Sequence, residues 1–219
     1  MDAGSLMMKL TTTLTPSYKK IKQDIKLFEQ KNNFVGRDEL ARSYADRICW
    51  KFASLGAITT LPSIIPGIGT AAMLATEGAS LSGNLAMMIR WMGSMVAGIS
   101  LMYNRDVETK FNKDFIQVLG LWSGVLITGD ESIGQAGDKV VIDKEQAVPS
   151  KIFMKINQKV GTSIIKRRGG IAIGTLAPFG LGAIVGGSFN LALMKAFKKK
   201  ALHYYTFKGN DIYYIKELK

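Results

Sequence analysis

Apolar residues recur at intervals of three or four along much of this chain, which is the period of an amphipathic α-helix. The pattern predicts a first helix over Ser17 to Lys31 and a second helix that Asp38 caps and Gly56 ends. Two further helices are predicted over Val107 to Thr128 and Lys151 to Arg168. The apolar positions that define the first, second and last of these helices are Ile21, Ile25, Phe28, Leu40, Tyr44, Ile48, Phe52, Ile152, Ile156, Val160 and Ile164.

Two stretches of the chain, Ala57 to Met102 and Gly169 to Met194, break this pattern because they carry almost no charge. The first contains Glu77 and Arg90 as its charged residues, and the second contains none. Proline and glycine interrupt both stretches near their start, so a continuous helix is not expected there. Beyond this point each stretch runs on as a helix rich in small residues. This pattern indicates helices packed backbone to backbone, either in a dry protein core or in lipid.

Small residues lie four positions apart in the predicted helices of both stretches. They are Ala71, Ala75, Ala79 and Gly83 in the first stretch, and Gly182 and Gly186 in the second. Such a stripe lets a second helix approach closely, and it is the main packing device between helices in lipid. The same stripe also occurs in soluble helical cores. It therefore predicts close packing without distinguishing a membrane from a protein interior.

These patterns together predict a mainly α-helical bundle with two glycine-rich apolar helical hairpins. Two β-prone runs, Lys139 to Ile142 and Ile212 to Ile215, predict a small β-hairpin in residues 130–150 or in the C-terminal tail. We divide the chain into an N-terminal arm with a basic helix, a helical domain and a tail. These parts cover residues 1–34, 35–206 and 207–219.

The net charge of +12 indicates an acidic partner. Three basic residues precede the second apolar stretch and three follow it, namely Lys166, Arg167 and Arg168, and then Lys198, Lys199 and Lys200. Basic clusters beside an apolar segment are typical of proteins that contact anionic lipid at the cytoplasmic face. Trp91, next to Arg90, suits the headgroup level of a bilayer. No nucleic-acid-binding motif surrounds these lysines, so nucleic acid is not an expected partner. A basic surface that serves solubility alone is the alternative.

The residue types that ordinarily carry catalysis are missing or isolated. Cys49 is the single cysteine and His203 the single histidine, so neither an intramolecular disulfide nor a histidine-based zinc cluster can form. Cys49 lies in a predicted helix beside Trp50 and Phe52, and we interpret it as a buried, inert thiol rather than a nucleophile paired with His203. The sequence therefore predicts no enzymatic activity, no metal and no cofactor.

Glu77 is the charged residue that most needs a partner, since an unpaired carboxylate within an apolar helix is unfavourable. Asn84 follows seven residues later on nearly the same face, and Asn190 holds the corresponding position in the second stretch. An ion pair with a basic residue of another helix, or a polar ligand site between helices, would each account for Glu77. We treat these three residues as a candidate buried polar site.

The order of these features resembles the EcsC family of bacterial proteins. The residues that carry the resemblance are the Pro66-Gly67 turn, Glu77 and Arg90 in the first stretch, Phe179 to Asn190 in the second, and His203-Tyr204-Tyr205 at the end of the last helix. The resemblance extends from about residue 35 to residue 206. It implies an intracellular, mainly helical protein, with some family members linked to an ABC transporter system and the membrane. It implies no catalytic residues.

We therefore expect a membrane-associated accessory protein at the cytoplasmic face of the membrane, peripheral or partly inserted. Its expected partners are anionic lipid, a membrane transporter and a second copy of the chain. One alternative is a pore-forming protein that uses the glycine stripes to oligomerise. Another alternative is a soluble carrier of a hydrophobic ligand, with Glu77 and Asn84 lining its pocket.

Overall fold

The computed structural model describes residues 15–32, 36–56, 83–132, 138–160 and 181–215, with the side chains of all of these except 55–56, 83–86, 181–189 and 215. The helices in these ranges are α1 (Tyr18–Gln30), α2 (Arg37–Gly56), α3 (Gly83–Met102), α4 (Val107–Ser123), α5 (150–160) and α6 (Leu181–Thr206). The strands are β1 (Leu126–Thr128), β2 (Lys139–Asp143) and β3 (Asp211–Ile215), and a 3-10 turn, Asp130–Ser132, follows β1. The prediction of a mainly α-helical fold is confirmed.

Helices α1, α2 and α5 bury the apolar positions that their sequences repeat. The buried residues are Ile21 and Ile25 in α1, Leu40, Tyr44, Ile48 and Phe52 in α2, and Ile152, Ile156 and Val160 in α5. The start of α2 differs from the prediction by two residues, because Gly36 rather than Asp38 is the residue before the helix. The helix begins at Arg37, so Asp38 lies in its first turn and accepts a hydrogen bond from the Tyr103 hydroxyl at 2.5 Å instead of capping the helix.

The predicted helix over Val107 to Thr128 is wrong in its last part. Helix α4 ends at Ser123, and Gly124 follows it with φ = 75°, in the left-handed region that glycine adopts without steric cost. All three residues of strand β1 are buried. A short apolar run has the same composition in a buried strand as in a helix, so periodicity does not separate the two. Here Gly124 ends the helix, so the apolar run after it forms a strand.

The sheet joins parts of the chain that are far apart in sequence. Strand β3 is central, with β1 and β2 antiparallel to it on either side. Tyr214 pairs with Leu126 of β1 and with Val140 of β2. Both predicted β-prone runs are therefore strands, but they pair with each other across the fold rather than in a local hairpin. Ile212 and Tyr214 are buried, and this ties the C-terminal residues to the core.

The hydrophobic core lies mainly between α2, α3, α4 and α6. In this core the Phe111 ring stacks on Phe115, and the Phe197 ring lies against Phe115 at an angle of 56°. Close contact between α2 and α3 depends on Gly98, because a Cβ atom there would lie 2.3 Å from Cε1 of the buried Tyr44 ring. A small residue in the first apolar stretch thus serves helix packing inside this bundle, as the sequence predicts for the stripe residues.

Candidate functional site

Helix α2 packs antiparallel to both α3 and α6, which brings three helix ends together. The contacts that define these directions are Asp38–Tyr103, Tyr44–Gly98 and Lys51–Trp91 between α2 and α3, and Asp46–Lys198 and Trp50–Lys195 between α2 and α6. As the residue number rises along α2, it falls along both partners. The C-terminal end of α2 therefore lies beside the start of α3, and the N-terminal residues of α6 extend about two turns beyond the same end.

The first parts of both apolar stretches, residues 57–82 and 169–180, are covalently joined to this end of the bundle. Residues 57–82 connect the end of α2 to the start of α3, and residues 161–180 lead into the start of α6. The two stretches are separated by more than sixty residues of other sequence. The tertiary structure nevertheless brings their flanking helices to one place.

Two tryptophan–lysine pairs lie at this end. Trp50 is 59% exposed, and Nζ of Lys195 lies 5.6 Å from the centre of its ring. Nζ of Lys51 lies 5.9 Å from the ring of the partly buried Trp91, whose indole N–H has no acceptor among the described residues. Burial lowers the pKa of Lys51. Each pair is a cation–π contact of about 0.5–1 kcal/mol at a surface. We call the surface formed by Trp50, Lys51, Trp91 and Lys195 the tryptophan end.

The lysine cluster that follows the second apolar stretch is largely neutralised within the protein. Nζ of Lys198 lies 2.6 Å from the Asp46 carboxylate, and Nζ of Lys200 lies 2.6 Å from the Glu131 carboxylate. Lys199 is exposed and makes no ion pair within the described part of the chain. The sequence could not distinguish the three lysines, since both carboxylates come from distant segments. The other predicted cluster, Lys166, Arg167 and Arg168, lies outside the described residues.

His203 lies in a cleft of about 560 Å³ beside this lysine cluster. Its Nε2 atom is 2.9 Å from Oγ1 of Thr128 and 3.4 Å from the Asp130 carboxylate. Cys49, by contrast, is fully buried in α2, where burial and the nearby Asp46 raise the pKa of its thiol to about 11. The interpretation of Cys49 as a buried thiol is therefore confirmed. The polar neighbours of His203 are Thr128 and Asp130.

The most extensive polar arrangement among the described residues, which we did not predict, lies at the other end of the bundle. Asp114 is fully buried in α4, and the Arg105 guanidinium donates two hydrogen bonds to its carboxylate at 2.9 and 3.0 Å. The hydroxyls of Tyr204 and Tyr205 donate to the same carboxylate at 2.8 and 3.2 Å. Burial, followed by the charge of Asp114, raises the pKa of both tyrosines. Burial by itself would lower the pKa of Arg105, but the hydrogen bonds to Asp114 raise it.

Glu145 closes this arrangement at the surface. Its carboxylate accepts hydrogen bonds from Arg105, Lys110 and Lys113 at 2.9 to 3.0 Å, and these bonds, that of Lys110 foremost, lower its pKa to about 2. Because both oxygens of Asp114 are engaged and shielded from solvent, this set of residues joins the α3–α4 turn to the end of α6. Its geometry suits a structural role and leaves no open position for a substrate.

The sequence does contain a signal for Asp114. It stands seven residues after Val107 and four before Val118, which places it on the apolar face of α4. The argument that a carboxylate among apolar residues requires a partner, applied above to Glu77, applies equally here. The partner Arg105 lies in the polar turn before α4. The identity of the two tyrosines as further partners depends on the position of α6 and has no local signal.

The remaining predicted site residues are not brought together by the described parts of the structure. Glu77, Ala71, Ala75 and Ala79 lie outside the described residues. Gly83, Asn84, Gly182 and Gly186 lie in the first turns of α3 and α6, where the backbone alone is described, and Asn190 is half-buried in α6. The candidate polar site and the stripe contacts stay predictions.

No helix in the described ranges is both long enough and apolar enough to span a bilayer. No group of three or more histidine, cysteine, aspartate or glutamate side chains in the same ranges is placed to hold a metal ion.

No protein-family model, curated protein or solved structure matches the chain. The similarity to the EcsC family therefore stays a prediction that rests on the residues quoted above.

Proposed function

We propose that this protein is a membrane-associated accessory protein that attaches to anionic lipid through its tryptophan end. The observation that carries the proposal is the position of two tryptophan–lysine pairs at the end of the bundle to which both apolar stretches are joined. Tryptophan favours the headgroup level of a bilayer, and lysine extends its charge from an apolar surface toward the headgroups. An accessory role beside a transporter rests on the resemblance to the EcsC family alone.

The magnitudes indicate that the lysines act together with the apolar stretches. Lys51 and Lys195 of the tryptophan end, together with Lys199 one helical turn further along α6, each contribute about 1 kcal/mol near an anionic surface. Their sum, about 3 kcal/mol, corresponds to millimolar or weaker binding. A basic patch combined with an apolar insertion gives stable attachment where either alone does not. Residues 57–82, with Glu77 as their charged residue, and residues 169–180, which carry no charge, are the segments whose low charge suits such an insertion.

The ion pairs decide which lysines a test should change. Lys198 and Lys200 neutralise Asp46 and Glu131, so their reversal would create like-charge contacts inside the protein. Lys195 and Lys199 are exposed on α6 and lie one helical turn apart. Reversing these two changes the surface charge without breaking an ion pair within the described residues.

The experiment is co-flotation of the full chain with vesicles of phosphatidylcholine, with and without phosphatidylserine, across a salt series. The Lys195→Glu/Lys199→Glu variant should bind anionic vesicles at least about 30-fold more weakly, since two contributions of about 1 kcal/mol are lost and replaced by repulsion. The matched control is Lys31→Glu/Lys208→Glu, which makes the same change of charge at exposed positions outside the tryptophan end. The control should bind like the unmodified protein.

Tryptophan fluorescence adds a readout of position. In variants that retain a single tryptophan, brominated lipid should quench Trp50 and leave Trp122 unchanged, because Trp122 packs against Phe197 in the bundle. Equal loss of flotation in both charge variants, or no flotation at all, would refute the proposal. Release of an entrapped dye would favour the pore-forming alternative, and a co-purifying apolar ligand without flotation would favour the carrier.

A further inference from the structure

A groove of about 1030 Å³ lies between α1, the start of α2 and the turn that joins α3 to α4. Lys19, Lys22 and Lys26 line it from α1, at spacings of three and four residues that place them along one face of the helix. Arg37 lines it from α2, and Arg105 from the turn. One wall of the groove is therefore a basic stripe about 10 Å long, at 1.5 Å per helical residue.

The floor of this groove is apolar. It is formed by Ile25, Leu40, Leu101 and Met102, of which Ile25, Leu40 and Met102 are 9%, 8% and 7% exposed. Leu101, the fourth of these residues, is half-buried and is the most exposed of them. A basic wall above an apolar floor suits a ligand that carries negative charge on one side and apolar groups on the other.

The positive charge of the wall is not balanced within the described residues. Lys19, Lys22, Lys26 and Arg37 form no ion pair with any residue in these ranges, whereas the charge of Arg105 is balanced by Asp114 and Glu145. The acidic residues that line the groove are Glu29 and Asp106. The Asp106 side chain caps α4 by accepting from the backbone N–H groups of Glu108 and Thr109 at 3.1 and 3.3 Å.

We propose that this groove binds an acidic amphipathic helix of a partner protein. Carboxylates spaced three and four residues apart on such a helix would face Lys19, Lys22 and Lys26, and its apolar residues would cover the floor. The groove is lined by Arg37 and Leu40 near the start of α2, and the tryptophan end includes Trp50 and Lys51, so the two sites lie about 15–20 Å apart along the helix axis. The choice of a protein over a lipid rests on the proposed attachment at the tryptophan end, because headgroups bound there would not reach the groove.

The test is a fluorescence anisotropy titration of the full chain with a labelled peptide, in the absence of lipid. The peptide carries glutamates at the spacing of the three lysines and leucines on the adjoining positions. The Lys22→Glu/Lys26→Glu variant should bind at least about tenfold more weakly, since each reversal replaces an attraction by a repulsion. The matched control is Lys20→Glu/Lys31→Glu, which makes the same change on and just after α1 at exposed positions outside the groove, and it should bind within about twofold of the unmodified protein.

Three results would overturn the proposal. The first is no peptide binding, or equal loss in both variants, which would indicate unspecific attraction to a basic protein. The second is equal binding of a peptide in which glutamine replaces every leucine, because the apolar floor would then have no role. The third is loss of vesicle flotation in Lys22→Glu/Lys26→Glu, which would make the groove part of a lipid surface. Because the titration contains no lipid, failure of membrane attachment does not affect its outcome.

Discussion

Replacing Asp114 by asparagine keeps the size of the side chain and removes its charge. The carboxylate is fully buried and accepts four hydrogen bonds, two from Arg105 and one each from Tyr204 and Tyr205. The asparagine amide offers one oxygen as an acceptor and turns an N–H group toward donors. At least one donor of Arg105 then loses its acceptor, whereas the Tyr204 hydroxyl can still donate to Oε1 of Gln117 at 2.8 Å. Removing one charged partner of a buried ion pair costs about 3–5 kcal/mol. We expect the free energy of unfolding to fall by that amount.

Urea unfolding followed by circular dichroism measures this change. For a slope of about 2–3 kcal/mol per molar urea, the midpoint should fall by roughly 1–2 M. Glu145→Gln is the matched control, because Glu145 bonds to the same Arg105 but is 43% exposed. Exposed pairs contribute about 1 kcal/mol or less, so this variant should change the midpoint little at neutral pH. The contribution of Glu145 is present above its unfolded pKa of 4.5 and is lost as the pH falls toward 2.

A double variant separates the pair from its surroundings. Arg105→Met combined with Asp114→Asn removes both charges, so its destabilisation should be smaller than the sum of the two single changes. The reasoning is refuted if Asp114→Asn costs less than about 1 kcal/mol, or if Glu145→Gln costs as much as Asp114→Asn.

Two further predictions concern a buried lysine and a close helix contact. Lys144 is 6% exposed beneath the Tyr204 ring, and burial lowers its pKa from 10.5 to about 8. Between pH 8 and 10.5 the folded chain has lost this proton and the unfolded chain still binds it. The free energy of unfolding should therefore rise with pH over this range. The Lys144→Met variant should be about 1–3 kcal/mol more stable at neutral pH and should lack that rise. If urea titrations of the variant show a rise of equal size, the rise does not come from Lys144. Gly98→Ala should lower the thermal midpoint, because overpacking against Tyr44 costs about 1–3 kcal/mol against a gain in helix propensity of about 1 kcal/mol. Gly36→Ala, at the N-cap of α2, has no atom within 4 Å of the added Cβ, so it should lower the midpoint only by the lost N-cap preference. A stabilising Gly98→Ala would show that the contact is not tight.

The parts of the fold that follow from local sequence are those in which one helix face is buried. The four-residue repeat of Leu40, Tyr44, Ile48 and Phe52 predicted α2, because a helix with one apolar face must cover that face whatever its partner is. The end of α4 was missed because a short buried strand and a buried helical turn have the same apolar composition. The central place of β3 was missed because strand pairing across the fold has no local signal.

The candidate sites also separate into features that the local sequence determines and features that depend on distant contacts. The sequence alone determined that the chain is basic, that Cys49 has no cysteine partner, and that two uncharged stretches interrupt it. The tertiary structure decided that Lys198 and Lys200 are neutralised, that Trp50 and Trp91 lie beside lysines at one end of the bundle, and that Asp114 meets Arg105 and two tyrosines. The physical reason is the range of the interactions. Helix formation depends on residues three and four apart, whereas ion pairs and ring contacts depend on which distant segments the whole core brings together.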